Sequence, residues 1–465
     1  MQNIIFIFIK HNFELIILKM HIKIISPGSI MYRKEGGIFP RLLRYAPLTL
    51  STLASLVPHE LNAKITIHDE IAEKINYFDK PDLVAISAIT GTANRAYAIA
   101  NHYRRRGVTV VIGGVHASLI PQEAKKHADS IITGMAFDSW PQLLRDFVAG
   151  NMTDHYDQAR DMNFSKLPTP RRDLLPKFSY ISKNSIQATY GCPYKCDFCA
   201  VISTQKKYLR RPIDDVIKEL SEMNSRFVTF IDPSPMEDKK YIKQLMREMI
   251  PLKKMWGGLA TVKIAKDDEL LDLAAESGCK GLLIGFETID QDALNEVGKG
   301  FSVVEEYKDV CKKLHDRGIS INGTFIFGMD SHKKDVFKKT VDFVQENAIE
   351  LPRYAIYTPF PGTGAFTKLE NQNRILTKNW SLYDVQHVVF EPKQMSAKEL
   401  FDGSVWAWEE TYSIKNITER ITKAGTYLPL SLVTNLGYRY YGNRLRNFPD
   451  DRIIELEKIW NKPLQ

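Results

Sequence analysis

Three cysteines, Cys192, Cys196 and Cys199, stand within eight positions in the stretch QATYGCPYKCDFCAV. The whole chain holds five cysteines, so this loop concentrates most of its thiol chemistry. A structural zinc site asks for four ligands, usually in two pairs, and only three are local. A redox CxxC pair accounts for Cys196 and Cys199 and leaves Cys192 unexplained. A 4Fe–4S cluster also takes thiolate ligands, and three of them leave one iron open for a substrate or cofactor to chelate. The remaining pair, Cys279 and Cys311, falls in helix-like or helix-flanking stretches and reads as small buried side chains.

The elements around the loop place it where chemistry belongs. From 184 to about 365 six apolar runs alternate with helical stretches: SIQATYG, RFVTFIDP, WGGLATVKI, GLLIGFET, ISINGTFIFG and RYAIYTPF. Pro212 opens one of the intervening helices. Six such units predict a partial (β/α)6 barrel, whose chemistry sits at the C-terminal ends of the strands. The cysteine loop follows the first strand. From 21 to 150 five more apolar strands alternate with helices, which predicts an α/β, doubly wound, Rossmann-like parallel sheet. Its strand ends read Pro27-Gly28, Ser87, Gly113-Gly114 and Gly134. Ligands bind beyond such ends, and small residues there admit a large one. Residues 151–183, rich in proline and without periodicity, read as a linker. Residues 366–465 read as a mostly helical C-terminal region rich in aromatics.

Composition sets the outer limits. A chain of 465 residues with 44% hydrophobic and 25% charged residues is an ordinary soluble, multidomain composition. Five cysteines do not make a disulfide framework and point to a reducing, cytoplasmic compartment. The formal charge of +8 is too small to imply nucleic acid. Much of it lies between Thr411 and Pro449, where six basic residues meet one acid. That basic, aromatic tail reads as a helix packed on the barrel with a solvated basic face, or as a contact with an anionic membrane surface. The first twenty residues, MQNIIFIFIKHNFELIILKM, have an apolar run too short to span a membrane. They read as an extension upstream of a start at Met20, with a weak interfacial anchor as the alternative.

CxxxCxxC with Phe198 before the last cysteine, on the first loop of a six-unit barrel, resembles the radical S-adenosylmethionine (SAM) superfamily. The resemblance implies a 4Fe–4S cluster on Cys192, Cys196 and Cys199, whose open iron binds SAM. One electron then cleaves SAM to methionine and a 5′-deoxyadenosyl radical. It implies a reducing protein partner such as a flavodoxin or ferredoxin. FIDPSP resembles the family's second-strand motif and makes Asp232 a candidate SAM contact. LLIGFET resembles the fourth-strand motif and does the same for Glu287. GTFIFG and YTPFPGT resemble the fifth and sixth. The preceding sheet resembles the cobalamin-binding domain of the cobalamin-dependent radical SAM enzymes, through APLTLSTLAS, SAITGTANRAYAIA, IGGVHASLIPQEA and TGMAFDSWPQLL. By that resemblance Ser87, Thr90, Gly91, Gly113, Gly114, His116 and Gly134 would surround the nucleotide tail. The lower-ligand motif DxHxxG is absent, so a bound corrinoid would have no histidine below cobalt. His116 alone also reads as an ordinary histidine of a surface loop. Methylthiotransferases are set aside, because no cysteine precedes Cys192 to hold their second cluster. The C-terminal region resembles the tail of a subgroup that includes methylases of hopanoid and chlorophyll-type substrates.

The implied function is methyl transfer from cobalamin to an unactivated carbon of a small or lipid-like substrate. The alternative is a radical SAM cyclase or oxygen-inserting enzyme, with or without bound cobalamin. A corrinoid-binding or light-sensing regulator would have no use for the cysteines and the barrel.

Overall fold

A computed structural model describes residues 20–29, 45–159, 164–165, 167–176, 179–180, 182–205, 207–425 and 428–461. Nearly all of the N-terminal extension therefore lies outside the described residues.

The first sheet is built from β1 (His21–Ser26), β2 (Lys64–Asp69), β3 (Leu83–Ser87), β4 (Thr109–Gly113), β5 (Ser130–Thr133) and β6 (His155–Asp157). Their order is β2-β1-β3-β4-β5-β6 and every pairing is parallel. β3 and β5 are buried along most of their length, as strands covered on both faces must be. The connection reverses direction between β1 and β3, so the crevice beyond their ends is the expected ligand site. β6 lies in the segment read as a linker. It is three residues long and mostly exposed, which gives no alternating pattern to detect.

The second sheet runs β14-β13-β12-β11-β10-β7, all parallel and in chain order, which is an open barrel of six strands. These are β7 (Ser185–Ile186), β10 (Phe227–Phe230), β11 (Met255–Ala260), β12 (Cys279–Glu287), β13 (Ser320–Phe327) and β14 (Arg353–Ile356). Buried and half-buried residues alternate along β12 and β13. One face packs under the helices and the other stays open to the barrel interior.

The first barrel strand departs from the sequence reading. SIQATYG splits into β7 and β8 (Thr189–Tyr190), and β8 pairs antiparallel with β9 (Leu209–Arg210). The split has a visible cause. The Asp232 carboxylate accepts hydrogen bonds from the amides of Ala188 and Thr189, taking those donors out of the sheet ladder.

The C-terminal region is mostly helical, with helices Ala397–Thr411, Ile414–Ala424, Leu428–Gly442 and Asp450–Asn461. It does more than pack on the barrel. Asn379 accepts from Asn94 at 2.7 Å, Trp380 donates to Glu123 at 2.7 Å, and Arg95 donates to the Trp460 carbonyl at 3.2 Å. These bonds tie the C-terminal region to the first sheet's helices.

Candidate active site

The cysteine loop is the long connection of the β8–β9 hairpin. It leaves β8 through Gly191 at φ +78°, where a Cβ would lie 2.3 Å from the Lys207 carbonyl oxygen, so only glycine fits. The loop is pinned from the barrel side. Asp197 N–H donates to the Val297 carbonyl at 3.0 Å and its own carbonyl accepts from Ala365 at 3.0 Å. The Tyr357 hydroxyl lies 3.2 Å from both Asp197 carboxylate oxygens. Phe198 meets the Tyr357 ring edge-on at 6.4 Å.

All three loop cysteines are free thiols. Burial pushes Cys196 up to about 12, with Lys299 pulling it down and the other two thiols pushing it further up. Burial raises Cys199 as well, and Cys192 adds to that. The three sulfurs thus feel one another's charge, although among the described residues no trio of Cys, His, Asp or Glu is drawn to metal-binding distance. Thiols of this kind exchange their protons for a cation, which restores the missing charge. Cys279 and Cys311 are buried in the core, on β12 and on the helix Tyr307–His315. That leaves the three free thiols of this loop as the donor set that a cluster held by three thiolates would use.

Glu287 ends β12 in the left-handed region, at φ +64°, just where the β12–β13 register shifts. A non-glycine residue held there is an outlier that the surroundings must enforce. The enforcement is Lys299, whose ammonium donates to Glu287 at 2.5 Å and to the Gly285 carbonyl at 2.9 Å. Both side chains are largely buried. Lys299 carries no sequence signal. The fold also brings its neighbour Gly298 against the cysteine loop, where a Cβ would lie 3.0 Å from the Lys195 carbonyl oxygen. Tyr194 is another residue the sequence left silent. It stacks on Phe301 at 3.9 Å, donates to Glu237, and carries Lys263 over its ring at 4.6 Å.

Asp232 is fully buried. One carboxylate oxygen serves the Ala188 and Thr189 amides and the Thr189 hydroxyl at 2.8 Å. Burial pushes its pKa up to about 6, against the pull of these donors. Through that oxygen it braces the cysteine hairpin, while Oδ2 is buried without a hydrogen-bond partner among the described residues.

A cavity of about 900 Å³ joins the two sheets and the C-terminal region. The first sheet contributes Ser26, Pro27, Ser87, Thr90 and Gly91 at the β1/β3 reversal. Ala200 from the cysteine loop, Glu287, Thr324 and Arg353 come from the barrel side. The far wall is aromatic: Tyr354, Trp408, Tyr438, Tyr441 and Phe448. Asp384, Val385 and Gln386 cross it as a strap, with Val385 at φ +63°. A second cavity of about 280 Å³ lies against the helix Leu48–Ser55, lined by Ser87, Gly113, Gly114 and Gly134 and reaching Tyr190 and Gln205 of the cysteine hairpin. At Gly114, φ +94°, a Cβ would lie 2.7 Å from the Ala88 carbonyl, so the turn admits only glycine.

His116 is buried rather than on a surface loop, and lines neither cavity. Its ring nitrogens meet the Tyr97 hydroxyl at 2.9 Å and the Thr90 hydroxyl at 3.4 Å. Burial lowers its pKa, partly offset by Glu123. The short helix Val115–Leu119 turns it inward beneath Trp380, a contact that only tertiary structure supplies.

The cysteine hairpin, on a six-stranded open barrel, shares one cavity with a doubly wound α/β sheet. The Radical SAM superfamily model matches residues 186–344 and the B12 binding domain model matches 54–144. The chain belongs to the cobalamin-dependent branch of the radical SAM superfamily. It is 32% identical over 355 residues to bacteriochlorophyllide d C-12(1)-methyltransferase of Chlorobaculum tepidum, covering 74% of this chain and 77% of that one. It is 28% identical to bacteriochlorophyllide d C-8(2)-methyltransferase of the same organism, over 84% of this chain and 91% of that one. Among solved structures it resembles the cobalamin-dependent S-adenosylmethionine radical enzyme OxsB, with a TM-score of 0.67 at 14% identity, covering 90% of this chain and 70% of that one.

Proposed function

We propose that the protein methylates an unactivated carbon of a large, flat, tetrapyrrole-like substrate. The observation that carries this reading is the single 900 Å³ cavity, which touches the cysteine loop, the β1/β3 reversal and the aromatic C-terminal wall. That volume lies near the top of the roughly 300–1,000 Å³ range of small-molecule sites. The similarity to two bacteriochlorophyllide methyltransferases supports the substrate class.

Cys192, Cys196 and Cys199 would hold the cluster. Glu287, paired with Lys299, would contact the polar groups of SAM, and Phe198 packs the loop against Tyr357. Ser87, Thr90, Gly91, Gly113, Gly114 and Gly134 would hold the corrinoid through its nucleotide tail. When bound, the cluster with SAM supplies a hydrogen-abstracting radical and cobalamin supplies the methyl group. The protein's part is to bring these groups to one substrate and to keep water away. A flavodoxin or ferredoxin delivers the electron.

The test is product analysis on the anaerobically reconstituted full chain, given SAM, a reductant and a bacteriochlorophyllide. Each turnover is expected to release both 5′-deoxyadenosine and S-adenosylhomocysteine. Persistent 5′-deoxyadenosine without S-adenosylhomocysteine would contradict methyl transfer.

A further inference from the structure

The smaller cavity, of about 280 Å³, has walls from two domains. The first sheet and its helices supply Leu53, Ile132 and Trp140, and the loop after β5 supplies Phe137. The cysteine hairpin supplies another wall. Tyr190 ends β8 before the cysteines, and Thr204 and Gln205 follow them at the end of the short helix Ala200–Thr204. The Tyr190 ring meets Phe137 edge-on at 5.4 Å, which joins the hairpin to the first domain. Gln205 closes the cysteine loop. Its side-chain Oε1 accepts from the Gly191 amide at 2.6 Å, immediately before Cys192. Its backbone N–H donates to the Val201 carbonyl at 2.7 Å, two residues after Cys199. The cavity suits a flat, apolar base. The Trp140 indole N–H already donates to the Leu53 carbonyl at 3.0 Å. Ser118 already donates to the Gly114 carbonyl and accepts from the Gly134 amide, each at 2.9 Å. At Gly134, φ +73°, a Cβ would lie 2.6 Å from Gln158 Oε1.

Resting on the corrinoid reading proposed above, we infer that Gln205 and Tyr190 couple the nucleotide tail of the corrinoid to the cysteine loop. Gln205 is a positioning residue: an occupant of the smaller cavity lies against the side chain that holds the loop's two ends together. The tail, rather than the corrin ring, then steadies the cluster. Coupling between two sites is reciprocal, so the cluster tightens the corrinoid as the corrinoid holds the cluster.

The test compares hydroxocobalamin with cobinamide, which has the corrin ring and no nucleotide tail. The full chain, reconstituted anaerobically with iron and sulfide, is challenged with a ferrous chelator, and the coloured chelate reports iron loss. Hydroxocobalamin is expected to slow iron loss about fivefold or more, the lower end of common coupling between sites, and cobinamide to leave it unchanged. In the Q205L variant, which keeps the bulk and loses the acceptor, hydroxocobalamin should no longer slow the loss. A second measurement needs no variant. Hydroxocobalamin should bind the cluster-loaded chain about fivefold or more tighter than the cluster-free chain. Equal protection by cobinamide, full protection in Q205L, or equal affinity of the loaded and cluster-free chains would overturn the inference. Cobalt retained without protection would overturn this inference alone. No retained cobalt would overturn the corrinoid reading with it.

Discussion

Glu287 sits in a backbone conformation that an ordinary residue avoids, and Lys299 is what keeps it there. Removing one member of a largely buried ion pair strands the other, at a cost of about 3–5 kcal/mol, whereas removing both costs less. Lys299→Met should therefore lower the thermal midpoint more than the Lys299→Met/Glu287→Gln double variant does. Glu287→Gln should cut kcat/KM for SAM cleavage by about tenfold or more while the cluster still loads with iron. Asp232 differs in kind. Asp232→Ala leaves two amides and a hydroxyl without their acceptor, costing about 1–3 kcal/mol. The expected result is poor iron loading, with unchanged SAM affinity in the loaded fraction. Weakened SAM affinity at full iron content would restore Asp232 as a SAM contact. The sequence makes the three cysteines legible because their spacing is local. It is silent about Lys299 and Tyr194, because their roles come from residues that only the fold brings together. It does not show that Asp232 and His116 are buried, because motif position does not reveal which way a side chain turns.

At the scale of elements, the strap Asp384–His387 joins the barrel edge to the turn before the last helix. Val385 accepts from Ile356 at 2.7 Å, and the His387 ring meets the Phe448 carbonyl at 2.9 Å. Burial alone would depress the His387 imidazole, but the Asp384 carboxylate at 2.9 Å outweighs it and lifts the pKa to about 9. A group whose folded pKa is raised stabilises fully below its unfolded value near 6.5, and that stability is lost as pH rises through the folded pKa. The protein should thus lose on the order of 3 kcal/mol between about pH 6.5 and 9.5 from this group. The thermal midpoint across that range reads it. His387→Gln should flatten that part of the profile, and an unchanged slope would dismiss the pair. The strands and helices of both sheets are legible because apolar runs alternate with helical periods. The split between β7 and β8 is hidden, since it depends on a carboxylate 43 residues downstream of Thr189.

At the scale of the molecule, the order of sheet, barrel and helical tail can be read from the chain, but their meeting cannot. The aromatic wall draws Tyr354 from β14, Trp408 from one C-terminal helix and Tyr441 from another. Nothing in the local sequence around Trp408 announces the cavity it closes. Among the described residues no helix is long and apolar enough to cross a membrane. Leu432, Val433 and Leu436 are exposed on the helix whose Tyr438 and Tyr441 line the cavity. The central claim is that one cavity serves a cluster on one side and a corrinoid on the other. The most direct measurement is the cobalt-to-iron ratio of the full chain, reconstituted anaerobically with iron, sulfide and hydroxocobalamin. The account predicts about one cobalt per four irons. Iron at that level with no retained cobalt would contradict it.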